Sequence, residues 1–118
     1  MRIRTMVPAQ DLPAVVSLWN GCVQAGEVVY VPLSEAYFNN KFISNPNYSP
    51  ELSLVAEADG KVAGFINGVC KKVFLPKETA QNTPGYLTCF FVHPAYRLRG
   101  VGSRLVNALC TRMKDTGK

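Results

Sequence analysis

The stretch Val92-His93-Pro94-Ala95-Tyr96-Arg97-Leu98-Arg99-Gly100-Val101-Gly102-Ser103-Arg104-Leu105 constrains this chain more than any other. An aromatic and β-branched run, Tyr86 to Val92, leads into it and predicts a strand. Pro94 ends that strand, because proline has no N–H for a sheet ladder. Beyond the turn, Val101, Leu105, Leu109 and Met113 recur at four, with Val106 beside them. This period predicts an amphipathic helix from about Gly100 to Met113. The segment therefore reads as strand end, tight basic glycine turn and helix start. Glycines let a ligand approach the backbone closely. The free N–H groups of a first helical turn carry the positive end of the helix dipole, and Arg97, Arg99 and Arg104 add full charges. The combination suits an anionic, phosphorylated ligand.

The 118 residues amount to one domain or part of one. A hydrophobic fraction of 47% against 18% charged residues is that of a globular chain, not a disordered one. No apolar run is long enough to span a membrane, and Met1-Arg2-Ile3-Arg4 has no signal-peptide core. A soluble, cytoplasmic protein is the expectation. The formal charge of +5 favours anionic partners, and three arginines with no acid fall between Arg97 and Arg104. Four cysteines, Cys22, Cys70, Cys89 and Cys110, are irregularly spaced, and His93 is the single histidine. No metal site is expected from that set. Cys70, Cys89 and Cys110 sit among apolar residues and are expected in the core.

Read from the N-terminus, Met1 to Val7 predicts a short strand with Ile3 and Thr5 on one face. Leu12, Val15, Val16, Trp19 and Cys22 predict a helix over Asp11 to Cys22, with Pro13 in its first turn. A connector, Gly21 to Leu33, has a β-like centre at Val28 to Val31. Ser34 is a candidate N-cap for a second helix running to about Ser44. Leu52 to Ala58 then predicts one strand and Lys61 to Val73 contains a second, joined to it by Asp59-Gly60, a two-residue hairpin turn. Gly64 and Gly68 mark a bulge or a close backbone contact. The order is β-α-α-β-β-β-α, an α/β fold of α+β-like character with a mixed, largely antiparallel sheet flanked by helices.

Arg97-Leu98-Arg99-Gly100-Val101-Gly102 matches the Arg/Gln-x-x-Gly-x-Gly/Ala signature of the GCN5-related N-acetyltransferase (GNAT) family. The flanking strand, His93-Pro94, Tyr96, the two early helices and the Asp59-Gly60 hairpin resemble that family as well, so the resemblance spans essentially the whole chain. It implies the acyl-CoA N-acyltransferase fold, acetyl-coenzyme A as co-substrate and a primary amine on a small molecule or peptide as acceptor. Residue by residue, it implies that backbone amides from Leu98, Arg99, Gly100, Val101, Gly102 and Ser103 cradle the pyrophosphate, with Arg97 and Arg99 beside it and Arg104 reaching toward a neighbouring phosphate. Phe90, Phe91 and Val92 would pair their backbone with the pantetheine arm, as a sheet edge accepts a strand. A dinucleotide-binding turn has a different glycine spacing. A nucleic-acid surface would spread its basic residues over a broad aromatic face, so nucleic acid is not the expected partner.

Acetyl transfer needs a neutral amine, although a lysine-type amine has a pKa of about 10.4 in water. It also needs a donor for the carbonyl oxygen, for which a backbone N–H of the Phe90–Val92 strand is the candidate. Family members often place a glutamate on this strand; here Tyr86, Leu87, Thr88 and Cys89 carry no carboxylate. Glu57, Tyr86, a water chain or an acid outside the chain are the alternatives, and no catalytic residue is assigned. His93, just before Pro94, is expected to be structural. Tyr30 and the Val28–Leu33 connector line the acceptor pocket or simply pack. In the family, further strands and a helix follow the glycine-turn helix. Residues 1–118 thus read as a single domain cut after that helix, with its C-terminal part absent and an open sheet edge that a second copy would cover as a homodimer. Beside the enzyme reading stands a non-catalytic acyl-CoA-binding module, or half of a larger acetyltransferase.

Overall fold

The computed structural model describes residues 1–24, 34–46, 48–70, 76–77, 86–96 and 100–115. The Val28–Val31 connector with Tyr30, and Arg97, Leu98 and Arg99, lie outside the described residues. Four strands, β1 (Arg2–Thr5), β2 (Ser53–Ala58), β3 (Lys61–Val69) and β4 (Tyr86–Val92), form one sheet in the order β1-β2-β3-β4. Every pairing between them is antiparallel. Asp59 and Gly60 join β2 to β3 with φ of 53° and 74°, the positive values that a two-residue hairpin matched to strand twist requires.

Helix α1 (Pro8–Gln24) begins earlier than the apolar spacing predicts. Pro8 takes the first helical position, where its missing N–H costs nothing. The Asp11 carboxylate reaches back to accept the Val7 N–H at 2.7 Å. Pro13 consequently lies inside the helix rather than in its first turn; it and Ala9 are exposed, so the carbonyl it cannot serve meets water. Ser34 caps α2 (Glu35–Phe38) as expected, its Oγ accepting the Tyr37 N–H at 3.1 Å. That helix continues as a π turn, Asn39–Ile43. Helix α3 (Val101–Asp115) follows β4.

Two cores form because the strands alternate. Val55, Phe65, Cys89 and Phe91 face α1 and α2, where they bury Val15, Trp19, Cys22 and Phe38. Trp19 lies 4.8 Å from Phe91 and 5.9 Å from Phe42, ring centre to ring centre, and Phe38 lies 4.7 Å from Phe42. Such pairs add about 0.5–1.5 kcal/mol each beyond area burial. On the other face Leu54, Ala56 and Ile66 meet Val101, Leu105 and Leu109 of α3, with Phe90 and Val92 packed against them. Val106 and Cys110, one residue past buried Leu105 and Leu109, turn about 100° away from the sheet and are exposed. Cys110 is therefore not a core residue, contrary to its apolar neighbourhood in sequence.

Close packing of α3 depends on Gly64 and Gly68 of β3. A Cβ on Gly64 would stand 2.9 Å from Leu105 Cδ1 and 3.1 Å from the Phe91 carbonyl oxygen; one on Gly68 would stand 2.8 Å from Leu109 Cδ1. Arg112 ties the far end of α3 to the sheet, donating to Thr5 Oγ1 at 2.6 Å and to the Glu51 carbonyl at 2.9 Å. Across the sheet, Arg4 of β1 donates to both Asp11 oxygens, at 2.6 and 2.8 Å, and to Glu57 at 2.8 Å. Asp11 is buried, so its charge is sustained by that guanidinium.

The same substitution should have opposite signs at two glycines. Gly64→Ala is expected to cost about 1–3 kcal/mol, since the Phe91 carbonyl cannot yield. Gly21→Ala, at an exposed position of α1 with nothing within 4 Å of the new Cβ, is expected to gain about 0.5–1 kcal/mol. Urea midpoints of both variants check the pair. Acid stability follows from Asp11, whose carboxyl the Arg4 hydrogen bonds hold below its ordinary 3.8. A lowered folded pKa means stability that is present above 3.8 and lost as the pH falls through the folded value. The urea midpoint should therefore drop below about pH 4, and the drop should be shallower in Asp11→Ala.

Candidate functional site

The backbone of β4 offers its outer edge. His93 donates its N–H to the Ala63 carbonyl at 2.7 Å. Val92 lies opposite Gly64, Phe91 opposite Phe65 and Phe90 opposite Ile66. Hydrogen-bonded and non-hydrogen-bonded pairs alternate along an antiparallel ladder. His93 and Phe91 thus spend their backbone groups on β3, while the N–H and C=O of Val92 and Phe90 point to the opposite side of β4. Among the described residues no strand occupies that side. Of the three strand residues singled out in the sequence, Phe90 and Val92 reach the edge; Phe91 contributes a buried ring to the α1 core.

The start of α3 lies beside this edge. Its first helical hydrogen bond runs from the Arg104 N–H to the Gly100 carbonyl at 3.1 Å. The N–H groups of Val101, Gly102 and Ser103 therefore have no acceptor within the helix. Gly100 enters the helix at φ 79°, which a side chain would strain. Gly102 rests on the Phe90 ring, where a Cβ would come within 3.0 Å of Cζ. One glycine is thus demanded by conformation and the other by contact with the strand below. Arg104 is exposed, its Nη1 3.4 Å from the Met1 carbonyl oxygen. The turn is braced from below: His93 Nδ1 accepts the Ala95 N–H at 3.1 Å, and the Tyr96 hydroxyl donates to Asp59 at 3.4 Å across to the hairpin tip. His93 Nδ1 is thus engaged by the backbone two residues on.

At its other end β4 carries a bulge. Cys89 pairs with Asn67 and Leu87 with Gly68, which leaves Thr88 without a register partner in the β3–β4 ladder. Such an extra residue bends the strand and frees ladder groups. Thr88 Oγ1 accepts from Asn67 Nδ2 at 2.7 Å and donates to the Asn67 carbonyl at 3.1 Å. Asn67 Oδ1 in turn accepts from Ser53 Oγ at 2.6 Å. Asn67 and Ser53 are buried polar residues on the α1 face, and sequence reading missed both. The available signal was an asparagine inside the apolar run Phe65-Ile66-Asn67-Gly68-Val69, where a buried amide must find partners.

The remaining base candidates separate in space. Glu57 accepts from Arg4 and sits beside the hairpin, four residues along β2 from Ser53. At about 3.3 Å per residue that is roughly 13 Å from the bulge row. Glu57 therefore serves the ion pair and is not placed at the bulge. Cys89 faces the α1 core, and burial pushes its thiol up to about 12, so it is no nucleophile at neutral pH. A cleft of about 790 Å³ opens between α1 and the hairpin end, lined by Arg4, Asp11, Glu57, Lys61 and His93 among others. Three of those ionic groups are already paired with one another. No cluster of His, Cys, Asp or Glu among the described residues could hold a metal ion.

Residues 14–118 match the model of the acetyltransferase (GNAT) family, and the chain belongs to that family. Solved structures with this fold include a ribosomal-protein-alanine N-acetyltransferase from Brucella melitensis, at TM-score 0.73 and 23% identity over 98% of this chain and 68% of that one. A GNAT family acetyltransferase from the same organism, in complex with acetyl-CoA, superposes at TM-score 0.72 with 23% identity over 98% of this chain and 70% of its own. An aminoglycoside antibiotic 6'-N-acetyltransferase from Acinetobacter haemolyticus gives TM-score 0.70 at 21% identity, over 99% of this chain and 74% of the other. No curated protein matches the sequence. The family uses acetyl-CoA as co-substrate. No helix among the described residues is long and apolar enough to cross a membrane.

Thiol chemistry checks the placement of the cysteines. Cys110 should react with a thiol reagent in the native protein, whereas Cys22, Cys70 and Cys89 should react only on unfolding. Peptide mapping after a brief native pulse is expected to find label at Cys110 alone.

Proposed function

We propose that this chain binds acetyl-CoA along the β4 edge and the start of α3, and that it acts as an N-acetyltransferase toward a primary amine of a small molecule or peptide. The single observation that carries the reading is the juxtaposition of edge-facing backbone at Phe90 and Val92 with the N–H groups of Val101, Gly102 and Ser103, which have no acceptor within α3. The first set suits the two amides of a pantetheine arm. The second set suits a pyrophosphate, with Leu98 and Gly100 completing the turn and Arg97 and Arg99 supplying charge, whereas Arg104 reaches the Met1 carbonyl ahead of β1, the opposite edge of the sheet. An arm that starts at the α3 turn and follows β4 back along its edge brings its thioester to the Thr88 bulge. A backbone N–H released there is the donor for the carbonyl oxygen.

Bound acetyl-CoA supplies the acetyl thioester: the amine nitrogen bonds to the carbonyl carbon, the C–S bond breaks, and a proton leaves the nitrogen while the thiolate gains one. This chain's residues orient the arm and present the N–H. Use of the β4 edge by the arm excludes pairing of a second copy along the same edge. A specific observation also favours a second reading, a non-catalytic acyl-CoA-binding module. From Tyr86 to Cys89 there is no carboxylate to take the amine proton.

Calorimetry with acetyl-CoA tests the site. Gly100→Val should weaken binding at least tenfold, because a β-branched residue is strained at φ 79°. Arg97→Ala should weaken it by about tenfold or more, the range of a charge-assisted hydrogen bond. No heat from the folded, unaltered chain overturns both readings. Binding without acetyl transfer to a broad panel of primary amines favours the module.

A further inference from the structure

We infer that Asn67 is a positioning residue for acetyl transfer: with Thr88 it forms a two-point clamp that holds the β4 bulge in one conformation. The inference rests on the acetyltransferase reading and deepens it, because the clamp lies where the thioester would fall. Asn67 is 1% exposed, two residues before the end of the inner strand β3. Apolar residues fill the neighbouring positions, Phe65 and Ile66, and an apolar side chain at 67 would avoid the desolvation of an amide. The amide present instead is bonded at both ends, with Oδ1 accepting from Ser53 and Nδ2 donating to Thr88.

The partner at Nδ2 is the one residue of β4 that the β3–β4 register shift leaves unpaired. A ladder residue is held by its backbone; Thr88 is held by its side chain. Its hydroxyl accepts from the Asn67 amide and donates to the Asn67 carbonyl, so both hydroxyl functions are spent on a single residue across the strand. That leaves Thr88 no role as an acid or base. It replaces the missing ladder bonds with two others, which fix the backbone around the bulge. Behind Asn67 the chain continues through Ser53 to Tyr48, with which Ser53 also interacts. The segment ahead of β2 is thereby linked across two strands to β4. An oxyanion donor is effective only when it is aimed before the reaction begins. A bulge free to slip by one residue would carry its N–H out of line and turn its neighbours to the other face.

The test compares Thr88→Val, which removes the hydroxyl at nearly constant volume, with Thr88→Ser, which keeps it, and with Asn67→Leu. Acetyl-CoA is the probe, with a panel of primary amines as acceptors. In Thr88→Val, calorimetric affinity for acetyl-CoA should stay within twofold, kcat should fall at least tenfold, and KM for acetyl-CoA should not change. Thr88→Ser should restore kcat to within threefold of the unaltered chain. Amide hydrogen exchange at residues 87–89 should accelerate at least tenfold in Thr88→Val and Asn67→Leu, while the amides of Phe91 and His93, which bond to β3, keep their protection. If Thr88→Val exchanges and turns over like the unaltered chain, the clamp is wrong. Equal loosening of all β4 amides also overturns it, since that is the signature of general destabilisation. Exchange is measurable whether or not the chain transfers acetyl groups. Failure of the acetyltransferase reading, seen as absent turnover in the unaltered chain, is thus distinct from failure of the clamp.

Discussion

Helix α3 lies close against β3 because Gly64 and Gly68 present no side chain to it, and Leu105 and Leu109 occupy the space their Cβ atoms would fill. That seating governs the rest of the molecule. It sets the height of α3 above the sheet, and so brings Gly102 onto the Phe90 ring and the helix start beside the outer side of β4. A helix held one side-chain layer further out would leave its N–H groups remote from the strand edge. The buried stripe of Val101, Leu105 and Leu109 supplies the hydrophobic force, and the two glycines convert it into a defined distance.

Much of this was legible in the sequence because it follows from short-range rules. Asp59-Gly60 specified its turn through the positive φ both positions adopt. Ser34 capped its helix, and the four-residue repeat of α3 selected the buried stripe. Boundaries were less legible where tertiary contacts decide them. The start of α1 moved to Pro8 because Asp11 serves Val7 and Arg4 at once, and the Arg4 contact spans two separate elements. Cys110 reads as apolar by neighbourhood, yet helix geometry turns it outward. Glu57 reads as a free carboxylate until β1 brings Arg4 to it. The Ser53–Asn67–Thr88 chain was invisible for a related reason. It needs the register of three strands, and a bulge is a mismatch between two strands rather than a property of either one.

The two ends of β4 differ in kind. Toward Val92 the strand is regular and braced, with His93 bonded to Ala63 and Tyr96 reaching the hairpin tip. Toward Leu87 the ladder is interrupted, and side-chain hydrogen bonds hold what backbone bonds do not. On the proposed reading the regular end grips the part of the cofactor that does not react, and the interrupted end faces the part that does. This division suits a family in which the donor is common to its members while the acceptors named for solved relatives range from an aminoglycoside to a ribosomal protein.

The pairing of β1 with β2 carries a consequence for how such a chain can vary. Arg4 and Glu57, bonded at 2.8 Å, stand 53 positions apart, and both α1 and α2 lie in the loop they close. Loop-closure entropy grows only with the logarithm of length, by about 0.6 kcal/mol for each doubling. Residues can therefore be added or removed within that loop at almost no cost in chain entropy, as long as the aromatic face on the sheet survives. The Asp59-Gly60 turn has no such latitude, because its two residues must match the twist of the strands they join. The chain thus combines a tightly specified hairpin, β2–β3, with a long excursion that is thermodynamically permissive, so insertions and deletions can accumulate on one face of the sheet without moving the hairpin.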